Sequence, residues 1–308
     1  MAVPGSTLHA FPVRFVDPVA QHGLAGVELR AQAIYVQGRD VTLDGFDLSG
    51  LAVMIEDSAA GVIRIADCEA RNGVVIRSTV GATAHLVVDR RTLDGGGMKG
   101  DPNFPAIKVW RPLTVLHSGV ENSPGGIQSG AALVAKFNLL EGFAWSPDTH
   151  ANAIYVRGTR APSDRTRIAY NVIYSQSVRN RQGFPVGVGA AIVFFGDGGN
   201  FYDSVVSHNV LISALPGGAS YLIGFYLGDD ASATGGVVAD NYFASVNGLN
   251  RTGSGALSET QRSGRVSRAF RGARTLSDSP GKDRRSSERR SAARKMPLRQ
   301  TTARSSLS

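Results

Sequence analysis

The sequence holds a single cysteine, Cys68, in 308 residues. That excludes an intrachain disulfide and a zinc site built on cysteines. A long apolar run is also missing. The longest uncharged stretch, Asn209 to Gly228, is interrupted by Pro216-Gly217-Gly218 and makes a poor membrane span. The opening Met1-Ala2-Val3-Pro4-Gly5-Ser6 has neither a basic start nor an apolar stretch of about 7 to 15 residues, so no secretory signal is expected. The location left open is cytoplasmic, or extracellular or cell-surface if the natural start lies upstream. No segment before residue 248 patterns as a helix of two turns, and neither a phosphate loop nor a dinucleotide fingerprint occurs.

Charge is present but unevenly placed. The chain has 33 Lys+Arg against 25 Asp+Glu, a net +8, and a pI near 9.9. From Leu249 to Ser308 there are 15 bases and 4 acids, which leaves 18 bases and 21 acids in residues 1–248. The body is therefore slightly acidic, and a nucleic-acid partner suggested by the pI attaches to the tail alone. The tail is rich in Ser, Arg and Ala and too poor in apolar residues to fold by itself. It reads as a basic disordered extension whose partner is unknown. Glycine, at 37 residues, is well above the average of about 7% and favours many tight turns over long helices.

Those turns punctuate a repeat. Ala33-Ile34-Tyr35-Val36-Gln37-Gly38 returns as Ala153-Ile154-Tyr155-Val156-Arg157-Gly158. Asn171-Val172-Ile173-Tyr174-Ser175, Asn209-Val210-Leu211-Ile212-Ser213 and Asn241-Tyr242-Phe243-Ala244-Ser245 share the pattern Asn-x-apolar-x-Ser, and Asn138-Leu139-Leu140 fits its first half. Earlier in the chain Asp44, Asp67 and Asp89 take a similar place after short Val- and Ile-rich runs. Each unit reads as a short strand, an Asn or Asp, a second strand, Gly-rich punctuation and a third strand. Third strands are expected to start at 34, 53, 74, 107, 127, 154, 192 and 223. Units this small cannot bury their own apolar faces and must stack. The Asn column has a physical reason, because Asn tolerates the left-handed backbone of a tight corner and its amides can bond from rung to rung.

On this Asn column, at Asn138, Asn171, Asn209 and Asn241, the chain resembles the right-handed parallel β-helix proteins of the pectin lyase-like superfamily. The resemblance implies an all-β solenoid of about eight coils over residues 27–248, a lead-in and incomplete cap over 1–26, and the tail over 249–308. It also implies a polysaccharide laid along the outer face of the third strands, between long loops. Fold alone does not imply activity, since the same fold hosts lyases, glycoside hydrolases, esterases and noncatalytic tailspikes.

Alternation along those strands turns Lys108, Trp110, Tyr155, Arg157 and Phe195 outward. Two registers compete at residue 223, one exposing Phe225 and Leu227, the other exposing Tyr226; apolar patterning favours Tyr226. Outward aromatics suit stacking on sugar rings, and they equally suit cover by loops. Gly196-Asp197-Gly198 and Gly228-Asp229-Asp230 end the strand in successive units, so Asp197 and Asp229 are expected one rung, about 5 Å, apart. That spacing suits a retaining pair of carboxylates, and Asp after Gly also caps turn N–H groups. The Gly-Asp-Asp is shared with polygalacturonases, without their Gly-His-Gly and Arg-x-Lys. Arg160-Ala161-Pro162-Ser163-Asp164-Arg165 fits the Arg-x-Pro-x-x-Arg of pectate lyases, without their Trp-Ile-Asp-His. That likeness implies proton abstraction by Arg165, uronate binding by Arg157 and Arg160, and Ca²⁺ as the only cofactor. His150 lies in a loop near the same face. His208 and Cys68 read as structural, Cys68 as a small buried residue. The expected partner of the body is a polysaccharide, with cleavage by lyase or glycoside hydrolase chemistry as the catalytic form of this reading; the competing reading is a noncatalytic scaffold, an adhesin, a tailspike-like protein or a truncated remnant.

Overall fold

The computed structural model describes residues 24–71, 73, 75–95, 105–143, 151–158, 161, 164–175, 178–179, 185–186, 190–196, 199–213, 221–227 and 231–245. Within them the chain is all strand and turn, with no helix. Short runs of β-branched residues between Gly, Asn and Asp leave no stretch long enough for a helix, and they pair side by side instead.

Three sheets take the strands in rotation. The first holds, in spatial order, Val27–Arg30, Ala33–Val36, Ala52–Ile55, Ile76–Ser78, Ile107–Val109, Ile127–Ser129, Asn152–Arg157, Ala190–Phe195 and Tyr221–Tyr226. The second runs from Thr42–Asp44 through Val62–Ala66, His85–Asp89, Leu113–Leu116, Leu133–Lys136 and Arg165–Ala169 to Phe201–Ser207, which pairs with both Ala233–Thr234 and Val237–Ala239. The third runs from Glu69–Ala70 through Thr92–Asp94, Gly119–Glu121, Leu139–Glu141, Val172–Ser175 and Val210–Ser213 to Tyr242–Ser245. All pairs in the three sheets are parallel except Val27–Arg30, which lies antiparallel on Ala33–Val36 and covers that edge. The sequence offers no evident cap, and this strand is the covering it misses. A separate antiparallel pair joins Val178–Arg179 to Pro185–Val186.

Register places like residues over like. Ile34, Val53, Ile76, Ile107, Ile127, Ile154, Ile192 and Ile223 form one column in the first sheet. Leu43, Ile65, Val88, Val115, Ala135, Ile168, Val206 and Val238 form a second. Ala70, Leu93, Val120, Leu140, Ile173, Leu211 and Phe243 form a third. Apart from the half-buried Phe243 these side chains are buried, and they make up one core cluster. Each fully buried aliphatic contributes on the order of 1.5–3 kcal/mol.

The corner between the second and third sheets is built the same way on every rung. One residue there is left-handed: Gly45, Asp67, Arg90, His117, Phe137, Tyr170, His208 and Asp240, with φ between 48° and 72°. The next residue points inward. In the last four rungs it is Asn138, Asn171, Asn209 and Asn241, each buried. The side-chain amide of Asn138 donates to Asn171 Oδ1, Asn171 to Asn209, and Asn209 to Asn241, each at 2.9 Å. The same oxygens accept the backbone N–H of the residue one rung below. On the four earlier rungs the register puts Phe46, Cys68, Arg91 and Ser118 at this position, not Asp44, Asp67 and Asp89. Asp44 and Asp89 sit two residues earlier, and Asp67 one. Cys68 copies the amide: its thiol lies 3.5 Å from Leu43 C=O and 3.1 Å from Ala66 C=O, as Asn138 donates to Val115 C=O and Asn241 to Ala239 C=O.

Candidate functional site

Six of the residues singled out in the sequence meet on the outer face of the first sheet. Lys108, Gln128 and Tyr155 stand in one column on successive strands, with Arg77 before Lys108. Arg157, Phe195 and Tyr226 stand in the adjacent column. Trp110 and Gly130 follow Val109 and Ser129, the residues in line with Val156, so Trp110 enters the Arg157 column across Gly130. A Cβ on Gly130 would come within 2.7 Å of the indole. That close approach lets the ring lie over the next strand, and Trp110 N–H is held by Ser78 Oγ at 3.0 Å.

Cations and rings alternate here. The Arg157 guanidinium lies 4.9 Å from the Trp110 ring centre and Lys108 Nζ 5.6 Å from it. Both distances are within the range in which an aromatic face attracts a cation. Tyr155 and Phe195 stack at 5.8 Å and 23°, and Phe195 meets Tyr226 at 6.0 Å and 36°. Phe195 is 37% exposed, while Trp110, Tyr155, Arg157 and Tyr226 are half-buried. Ile223 is buried, and Phe225 and Leu227 pack against the core, so the register that turns Tyr226 outward is the one adopted.

Of the remaining candidates only Arg165 lies among the described residues, and it stands in a different sheet. Arg165 is not in a loop: it opens a strand of the second sheet, and its guanidinium pairs with Asp203 at 2.9 Å. His150, Arg160, Asp197, Asp229 and Asp230 lie outside the described residues. On the described side of the two Gly-Asp motifs, Phe195 pairs with Tyr226 and Gly196 N–H donates to Tyr226 C=O. Arg77 and Gln128 went unrecognised in the sequence. Their signal was the recurring Ile-x-Ser/Val of Ile76-Arg77-Ser78, Ile107-Lys108-Val109 and Ile127-Gln128-Ser129.

Other polar groups cluster away from this face. Asp89, 5% exposed, accepts from Arg64 at 2.6 Å, Arg90 at 3.1 Å and His117 at 3.1 Å. Arg90 also grips Asp67 and holds its carboxyl below the usual carboxylate range. On the third sheet Asp94, Glu121 and Glu141 stand in line on adjacent strands. Burial, then the charges of Asp94 and Glu141, push the Glu121 carboxyl up. Burial likewise pushes the Cys68 thiol up, which opposes a nucleophilic role. Among the described residues no group of three His, Cys, Asp or Glu is placed to hold a metal ion, and no helix is long and apolar enough to cross a membrane.

No family model, curated protein or solved structure matches this chain.

Proposed function

We propose that the chain is a right-handed parallel β-helix of about eight coils that binds an acidic polysaccharide along the outer face of its first sheet. Three parallel sheets that take every third strand support the winding. The right hand follows from the strong bias of parallel crossovers. The observation that carries the binding reading is Trp110 flanked by Lys108 and Arg157, continued by Tyr155, Phe195 and Tyr226. Rings offer apolar faces to sugars, and the two cations, with Arg77 in line, favour carboxylate or sulfate groups.

A binding module is favoured over an enzyme by one observation. Arg165, the residue the lyase reading needs as base, stands in the second sheet and is engaged by Asp203 of the adjacent strand. Cleavage would rest on Asp197, Asp229 and Asp230 with Arg165, and in the lyase form on Ca²⁺.

Calorimetry of the full chain with a polyuronate and a neutral glycan tests the binding reading. Binding to the polyuronate is expected, and Trp110→Ala or Arg157→Gln should each weaken it about tenfold, the loss of a cation–ring contact of roughly 1–2 kcal/mol. Equal affinity in all three proteins would exclude this face. Reducing-end and unsaturated-uronate assays with and without Ca²⁺ separate binding from cleavage, and Arg165→Ala should leave affinity unchanged.

A further inference from the structure

The inward position after the left-handed corner is occupied by a neutral polar side chain on five of the described rungs and by Cys68 on another, and all of these have partners except at one place. Arg91 follows Arg90 at that corner and is 3% exposed. Among the described residues none of its three guanidinium nitrogens meets an acceptor of good hydrogen-bond geometry, and the Cys68 thiol is the one titratable side chain that interacts with it. Its neighbours along the column are committed elsewhere: the Cys68 thiol to Leu43 and Ala66 C=O, and the Ser118 hydroxyl to Leu116 C=O at 2.6 Å.

A guanidinium without water or acceptor is among the most costly groups to bury, and buried charges in proteins are paired. Burial lowers the Arg91 pKa to about 10, which leaves it cationic at neutral pH. Cys68 is the one titratable group that acts on it, and burial keeps that thiol protonated near neutrality. The carboxylates of the neighbouring rungs are turned to the outside, where Asp67 and Asp89 are taken by Arg64, Arg90 and His117. Among the described residues no carboxylate is left to supply the countercharge, which points to a species outside the chain.

We propose that Arg91 holds a small monovalent anion of halide size inside the fold, beside the corner between the second and third sheets. A small ion is inferred because Cys68, Leu93, Ser118 and Val120, on this and the adjoining rungs, are all buried. Charge follows from the single guanidinium, since a dianion would leave an uncompensated negative charge in the core. An ordered water would supply lone pairs but no charge, and it would confer no dependence on halide.

The test is a thermal melt of the full chain while chloride replaces gluconate at fixed ionic strength. A ligand of the native state raises the midpoint in proportion to the logarithm of its concentration above Kd. The midpoint should climb with chloride in the wild type and stay flat in Arg91→Asn, which continues the amide ladder, and in Arg91→Met. An indifferent wild type, or a chloride response that survives in both variants, would overturn the proposal. Should neither variant fold, a bromide soak of wild-type crystals decides: an anomalous peak at bonding distance from the guanidinium upholds the site, and its absence removes it.

Discussion

Asn171 shows how much one buried amide holds in place. It accepts from both the N–H and the side chain of Asn138, and it donates to Ala135 C=O and to Asn209 Oδ1. Substitution by leucine keeps the volume but leaves the Asn138 donors and the Ala135 carbonyl buried without partners, each costing about 1–3 kcal/mol. Asn171→Leu should therefore lose about 3 kcal/mol or more in urea denaturation, and Asn171→Asp should not rescue it, since a buried carboxylate adds its own penalty. A loss under about 1 kcal/mol would mean that water replaces the ladder. The four Asn rungs were legible in the sequence because the motif repeats without interruption. The earlier rungs were not. Asp44, Asp67 and Asp89 looked equivalent to Asn because both residue types favour left-handed corners. Only the strand register reveals that Phe46, Cys68, Arg91 and Ser118 hold the inward position.

Elements are joined by register, and register puts both helpful and unhelpful residues in line. Outside the same corner, His117, Phe137, Tyr170 and His208 stack ring on ring at 5.3, 5.1 and 4.9 Å. Left-handed backbone costs such bulky residues about 1–2 kcal/mol each, which the stack and the ladder beneath offset. The Asp94, Glu121 and Glu141 column is the opposite case, since like charges on facing strands are destabilising by roughly 0.2–1 kcal/mol per pair. Glu121 has a folded pKa raised by burial and then by Asp94 and Glu141, with Arg71 opposing. The unfolded chain loses that proton first, so stability falls as pH rises from the ordinary glutamate value to the raised one and is constant above it. Glu121→Gln should be more stable than wild type at pH 7 by under about 1 kcal/mol, with the difference vanishing below pH 4; an unchanged pH profile by circular dichroism would contradict this. The third strands were legible as short apolar runs and eight fall in one sheet, the one expected from 74 running instead over Ile76–Ser78. The strand that Arg165 opens is not marked in Arg-Thr-Arg-Ile-Ala, and its partner Asp203 lies on the adjacent strand.

At the scale of the whole molecule two anion-seeking surfaces have to be told apart. The face of the first sheet offers cations spaced between rings, with Arg157 and Lys108 over Trp110. Residues 249–308, outside the described structure, hold 15 bases against 4 acids, while residues 1–248 are net negative. DNA binding by the full chain is therefore expected from the tail, and the two sites should differ in their response to salt and to mutation. Tail binding releases many counterions and should fall steeply with salt, on the order of tenfold or more between 50 and 200 mM. Glycan binding on the sheet combines a few charge contacts with ring stacking and should fall much less over that range. Trp110→Ala should leave DNA affinity unchanged and weaken the glycan; Arg289→Ser with Arg290→Ser should do the reverse. Fluorescence anisotropy of labelled DNA and of labelled oligouronate, across one salt series and these variants, reads both. If Trp110→Ala lowered DNA affinity, or the paired tail variant lowered oligouronate affinity, the two surfaces would act as one site. The basic pI would then describe the ligand of the fold rather than that of the tail.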